Sequence, residues 1–270
     1  MAQPHVAEAT ETPLASEGMT PVAAPPRVRD LLRTAPDGPV PVLHAGPLAI
    51  YVEVAGQAVG VLAAGAVRVP CGLRTRLKDL ALHVSTNGGP DPYVVGGALH
   101  LGSRPLTVGR VVGTYVPTLR HEVVRSTKTG PATVQATPPA TVAGLVAALP
   151  RRRDDATGLP ALVGRGEGLT PLGDDLLCGW LATQRALGVA TPAVDAELRR
   201  LLSRTTRLSA TLLECALAGE TLPEHADWLR AVGGHDEPAR ARALAAIGAT
   251  SGSGLLHGSR AALDQLREAA

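Results

Sequence analysis

The residues best equipped for chemistry are concentrated between Gly164 and Gly179, in the order Gly-Arg-Gly-Glu-Gly-Leu-Thr-Pro-Leu-Gly-Asp-Asp-Leu-Leu-Cys-Gly. Glycines here let the backbone take left-handed angles and come close to a ligand. A helix starting near Asp174 would aim free N–H groups and a positive dipole end at an anion. The ligand-binding candidates are Arg165, Gly166, Gly168, Thr170 and Gly173, and a tight, well-capped turn explains the same residues. Asp174 and Asp175 are the catalytic candidates. Neighbouring helix residues point about 100° apart, so Asp174 is expected to cap the helix and Asp175 to face the ligand. No cofactor is expected, although the Asp174–Asp175 pair could bind a divalent cation such as Mg2+, orient a substrate amide or hold Arg165.

Two nucleotide motifs fail in this segment. A P-loop requires a lysine after its last glycine, and none is present. The dinucleotide fingerprint needs a different last interval and a preceding strand.

A second loop, Gly248 to Gly254, offers Ser251, Gly252 and Ser253 at another helix start. It is either an anion site or a hydrogen-bonded turn. Thr205 and Thr206 with Ser209 form a third polar cluster, of a kind that usually bonds back to backbone. The eight histidines contain no H-x-x-x-H pair. Neither Ser251 nor Ser253 has an acid–base neighbourhood for a hydrolase triad.

The elements that must position these groups fall into two halves. Residues 1–37 are rich in Pro, Ala, Thr and Glu and are expected to be a mobile tail, with one short helix near Val28 to Arg33. Residues 38–136 form the β-rich part. Its strand candidates are 48–54, 58–62, 66–69, 80–84, 93–95, 98–101 and 107–112, and their spacing favours an antiparallel sheet or small barrel. Residues 137–270 read as helical, with segments near 141–149, 174–187, 193–218, 224–232, 237–247 and 253–268, several of them opened by proline. The fold class is therefore α+β. Gly173 to Gly179 and Gly252 to Gly258 share the pattern G-x-x-L-L-x-G. A glycine in a helix interior is about 1 kcal/mol worse than alanine, so its appearance twice predicts close helix contact.

Composition sets outer limits. Hydrophobic residues are 45% of the 270, which is enough for a real core, yet aromatics are 2% and Phe is absent. Leu, Val and Ala must fill the interior. With 26 basic against 24 acidic residues the net charge is +2, too small to argue for nucleic acid or an anionic membrane. Cys71, Cys178 and Cys215 are widely spaced and show no disulfide or zinc pattern. With no signal peptide or membrane-spanning window, a cytoplasmic location is expected.

The run from Gly166 to Gly179 resembles the G-x-G-L-T-P-S-G-D-D-x-L-x-G signature of a family that includes the AllH subunit of oxamate carbamoyltransferase. Thr205 to Leu213, Ala218 to Glu220, Ile247 to Gly252 and Leu255-Leu256 are similar to its later blocks, in the same order. The resemblance implies a subunit of a carbamoyltransferase assembly in purine (allantoin) breakdown, working with partner subunits. It also implies a small anionic ligand such as carbamoyl phosphate or oxamate. Carbamoyl transfer rests on positioning and on donors around phosphate and carbonyl. A stand-alone enzyme on another small anionic or amide substrate, and a non-catalytic metabolite-binding or assembly subunit, are the alternatives. The chain departs from the family pattern at Leu172, where serine is usual, and at Gly254, where aspartate is usual. Both changes remove a polar group from the expected site.

Overall fold

The computed structural model describes residues 18–80, 91–122 and 140–268. The fold is α+β, a nine-stranded sheet followed by a helical half. The strands are β1 (Thr20–Ala24), β2 (Gly38–Pro39), β3 (Val42–Ala45), β4 (Ala49–Val54), β5 (Gln57–Leu62), β6 (Gly72–Arg74), β7 (Tyr93–Val95), β8 (Ala98–Leu101) and β9 (Arg104–Val111). They lie in the order β2-β7-β8-β9-β1-β6-β5-β4-β3. Pairing is antiparallel except for β1 with β9 and β5 with β6.

Alternation along β4 and β5 separates two faces. Ile50, Val52, Val54, Val59 and Val61 pack in one core with Val28 and Leu32 of helix α1 (Pro26–Thr34). Tyr51, Ala58 and Leu62 face the other way, against Leu208 and Cys215 of the helical half. This is the period-2 rule acting on a sheet buried on both sides.

Several expectations change here. Residues 20–34 are not a tail: β1 is an interior strand and α1 covers the sheet, because Val22, Ala24, Val28 and Leu32 are all buried. Residues 1–17 lie outside the described ones. The expected strand at 66–69 is a loop, and the pairing partner of β5 is instead β6. Of the expected strand at 80–84, only Leu80 is described, and it is not in a strand.

The helical half contains α2 (Ala140–Ala147), α3 (Leu159–Leu162), α4 (Leu172–Ala186), α5 (Pro192–Leu201), α6 (Arg207–Leu217), α7 (Pro223–Ala231), α8 (Glu237–Ala245) and α9 (Ser251–Glu268). The single helix expected over 193–218 is two, broken at a 3-10 turn, Leu202–Arg204. Thr206 then caps α6 by accepting from the Ser209 N–H at 3.1 Å.

The repeated G-x-x-L-L-x-G pattern is explained by α4 and α9. A Cβ on Gly179 would run into the Leu255 carbonyl, and one on Gly258 into the Leu176 carbonyl. Each helix thus presents its last motif glycine to the first motif leucine of the other. The opening glycines also correspond: Gly173 lies on the carbonyl of Leu162 and Gly252 on that of Leu244. With few aromatics to span a gap, this pair fills its interface by bringing backbones together.

Candidate functional site

Asp174 and Asp175 both lie in the first turn of α4 and are both buried, but their surroundings differ. Asp174 Oδ1 accepts from the Gly164 N–H at 2.9 Å. Its Oδ2 accepts from the hydroxyls of Thr205 and Ser209, the latter at 2.7 Å. Burial raises its pKa and these three donors oppose the rise. Asp174 is therefore not the cap of its own helix. That position is Pro171, with no side-chain cap, and Asp174 fastens the loops before α4 and α6.

Asp175 lines a cavity of about 200 Å³ between the two halves. Its Oδ2 is buried without a hydrogen-bond partner. Burial pushes its pKa up to about 8, with the Ser251 hydroxyl opposing the rise and the Asp174 charge adding to it. Ser251 and Thr170 hydroxyls are 2.8 Å apart and line the same cavity. Either hydroxyl can be the donor between the two. A neutral carboxyl with a free oxygen can donate to a ligand carbonyl and accept from an amide N–H.

The remaining wall is mainly apolar. Leu208, Leu212, Ile247 and Leu255 come from the helical half, and Tyr51, Val67, Val69 and Pro70 from the sheet half. Gly60 opposes Tyr51 across β4 and β5, and a side chain there would strike the Tyr51 ring. Its absence lets the ring lie over the strand and reach the cavity. Glu220 and Thr221 line the far side, where Arg27 pairs with Glu220 at 2.7 Å. Among the described residues, no arginine, lysine or histidine lines this cavity.

The other expected residues are dispersed. Arg165 is exposed and lines a separate surface pocket with Gly164 and Arg204. Gly166 has φ +127°, and a Cβ there would meet the Leu172 nitrogen at 2.6 Å, so its geometry serves chain packing. Gly168 completes the exposed turn. The N–H groups of Gly173, Asp174 and Asp175 donate to the carbonyls of Arg165 and Pro171, and those of Gly252 and Gly254 to Ile247 and Thr250. The first turns are thus largely occupied by the chain itself. Thr206 donates to the Leu169 carbonyl, Ser209 belongs to the Asp174 network, and Ser253 lies in the first turn of α9 outside the cavity lining. The described residues contain no cluster of three or more His, Cys, Asp or Glu placed to hold a metal ion.

Sequence reasoning missed Tyr51, Val67, Val69 and Pro70, which carry no motif and reach the cavity only through the tertiary fold. It also missed buried His225. This ring lies 2.8 Å from the Thr221 hydroxyl and 2.7 Å from that of Ser259, which donates to the Gly179 carbonyl. Burial pulls its pKa down to about 3, so it is a neutral link between the cavity edge and the α4–α9 crossing.

Residues 162–263 match the family described as oxamate carbamoyltransferase subunit AllH. That stretch of the helical half is similar to AllH. The match contains Thr170, Asp175 and Ser251, and excludes the sheet-derived wall. No curated protein and no solved structure matched the chain. The two departures from the AllH pattern are spatial neighbours. A Cβ on Gly254 would lie 2.7 Å from the Asp175 Cβ and 3.1 Å from a Leu172 methyl. Leu172 and Gly254 therefore lie together beside Asp175. Among the described residues, no helix is long and apolar enough to cross a membrane.

Proposed function

We propose that this chain is an AllH-type subunit of a carbamoyltransferase assembly and that its ligand site is the Asp175 cavity. The carrying observation is the buried, unpartnered Asp175 oxygen in a cavity whose polar end falls within the AllH-matching segment. A carbamoyl group offers both an N–H donor and a carbonyl acceptor, and a carboxyl that titrates near 8 is suited to both. The phosphate of carbamoyl phosphate, or the carboxylate of oxamate, needs cationic or N–H donors. The cavity wall supplies no cationic side chain, so that part of the site is assigned to partner subunits. The same feature favours a second reading, a metabolite-binding subunit without chemistry of its own. Burial raises the pKa of Cys178, the thiol in the wall, well above its ordinary value, which disfavours a thiolate nucleophile.

The test is thermal shift of the purified chain with carbamoyl phosphate, phosphate, oxamate and oxalurate, each with and without Mg2+. A ligand at a hundred times its Kd stabilises by about 2.7 kcal/mol. The expected result is a shift from a carbamoyl compound that Asp175→Ala removes. An equal shift in both proteins would place the ligand elsewhere.

A further inference from the structure

The residues lining the cavity differ in chemistry and in origin. Thr170, Asp175 and Ser251 offer hydroxyls and a carboxyl, all from the AllH-matching segment. Val67, Val69 and Pro70 from the β5–β6 loop, with Tyr51, add a mainly apolar wall outside that segment. The carboxylates in the lining are Asp175 and the Arg27-paired Glu220. An anion placed inside would lose its water and find no cationic side chain in the lining, an unfavourable exchange in a low-dielectric space. A head group with N–H donors would satisfy the orphaned Asp175 oxygen. About 200 Å³ is more room than a carbamoyl group fills, and most of the residues lining it are aliphatic.

We infer that this cavity selects a ureide with an uncharged aliphatic body, its carbamoyl head against Asp175 and its chain along Val67, Val69 and Pro70. The inference rests on the Asp175 cavity being the ligand site. It makes the sheet-derived wall the specificity element, in a part of the chain that the AllH match does not reach. Leu172 and Gly254 beside Asp175 fit the same trend, since apolar contact stands there without a second carboxylate.

The test is calorimetric titration of the full chain with methylurea, ethylurea, propylurea and butylurea, and with hexanoate as an anion of comparable length. Affinity is expected to rise about fourfold with each added methylene, the gain from burying one CH2. Hexanoate is expected to bind at least tenfold more weakly than butylurea. Asp175→Ala, which removes both the donor and the acceptor, should weaken every ureide at least tenfold. Val67→Ser, at a residue 39% exposed and so tolerant of change, should flatten the dependence on chain length and leave methylurea unaffected. Hexanoate binding as tightly as butylurea, a flat chain-length series in the unaltered protein, or indifference to Asp175→Ala would each overturn the inference. If the alkylureas fail while oxamate or carbamoyl phosphate binds in an Asp175-dependent way, the ureide class falls and the site stands. If neither set binds, both fall.

Discussion

Asp174 and Asp175 are adjacent and chemically identical, and they diverge because the helix turns the second side chain away from the donors that surround the first. Asp174 collects one N–H and two hydroxyls, whereas Asp175 keeps a bare oxygen in an apolar cavity. In the folded chain Asp175 holds its proton to about pH 8, while an unfolded aspartate releases it near 3.8. Below the lower value both states are protonated and the residue is neutral to stability. Between the two values the folded state must keep a proton that the unfolded state gives up, so stability falls as pH rises. Asp175→Asn removes this penalty. Its stability over the parent should widen from pH 4 to pH 8, reaching at least about 1 kcal/mol at neutral pH, as read by urea denaturation at stepped pH. A constant gap across that range would show that Asp175 is ionised in the folded chain. The sequence marked the adjacent carboxylates as a candidate pair with different surroundings, and of the two Asp175 is the one that lines the cavity. That Asp174 serves another loop was not legible, because Gly164, Thr205 and Ser209 meet it only once four segments have packed.

At the scale of elements, α4 and α9 cross with carbonyl oxygens seated on glycines. Gly258→Ala would push a methyl into the Leu176 carbonyl, an atom that cannot swing aside. The expected cost is about 3 kcal/mol, at the upper end for overpacking. Gly168→Ala meets no atom within 4 Å and strains only a φ of +86°, so about 1 kcal/mol is expected there. Urea midpoints of the two variants provide the comparison, and equal losses would show that the crossing is loose. The repeat in the sequence foretold this contact, because a glycine kept twice inside a helix implies an approaching backbone. Boundaries were less legible. The 193–218 pattern ran through Thr205 and Thr206 with no proline or glycine to stop it, and the break there is set by a hydroxyl capping α6.

Across the whole molecule, sheet and helices share a core rather than merely touching. Tyr51, Leu62 and Cys71 pack with Leu208 and Cys215, and the Ala58 N–H donates to Thr211 Oγ1 at 2.8 Å. Arg27 reaches from α1 to Glu220, and Arg68 from the β5–β6 loop to Glu224 at 2.9 Å. Thr211→Val should therefore leave the Ala58 N–H buried without an acceptor and cost about 1–3 kcal/mol. Thr211→Ser should restore most of it. Both should melt in one transition followed by far-UV and near-UV signals together. Two separated transitions would mean that the halves fold independently and that the cavity between them is not fixed.

Local chemistry alone determined the α+β order, most helix starts and the glycine pair, because periodicity, proline placement and glycine spacing act over a few residues. Only the tertiary structure decided that β1 and α1 belong inside the fold, since their burial depends on partners such as Leu73 and Leu106, far along the chain. Tertiary packing also separated Arg165 from the cavity and brought in Tyr51, Val67, Val69 and Pro70. Apolar residues carry no local sign of which surface they will line, and a site between two halves exists only after the long-range contacts have formed.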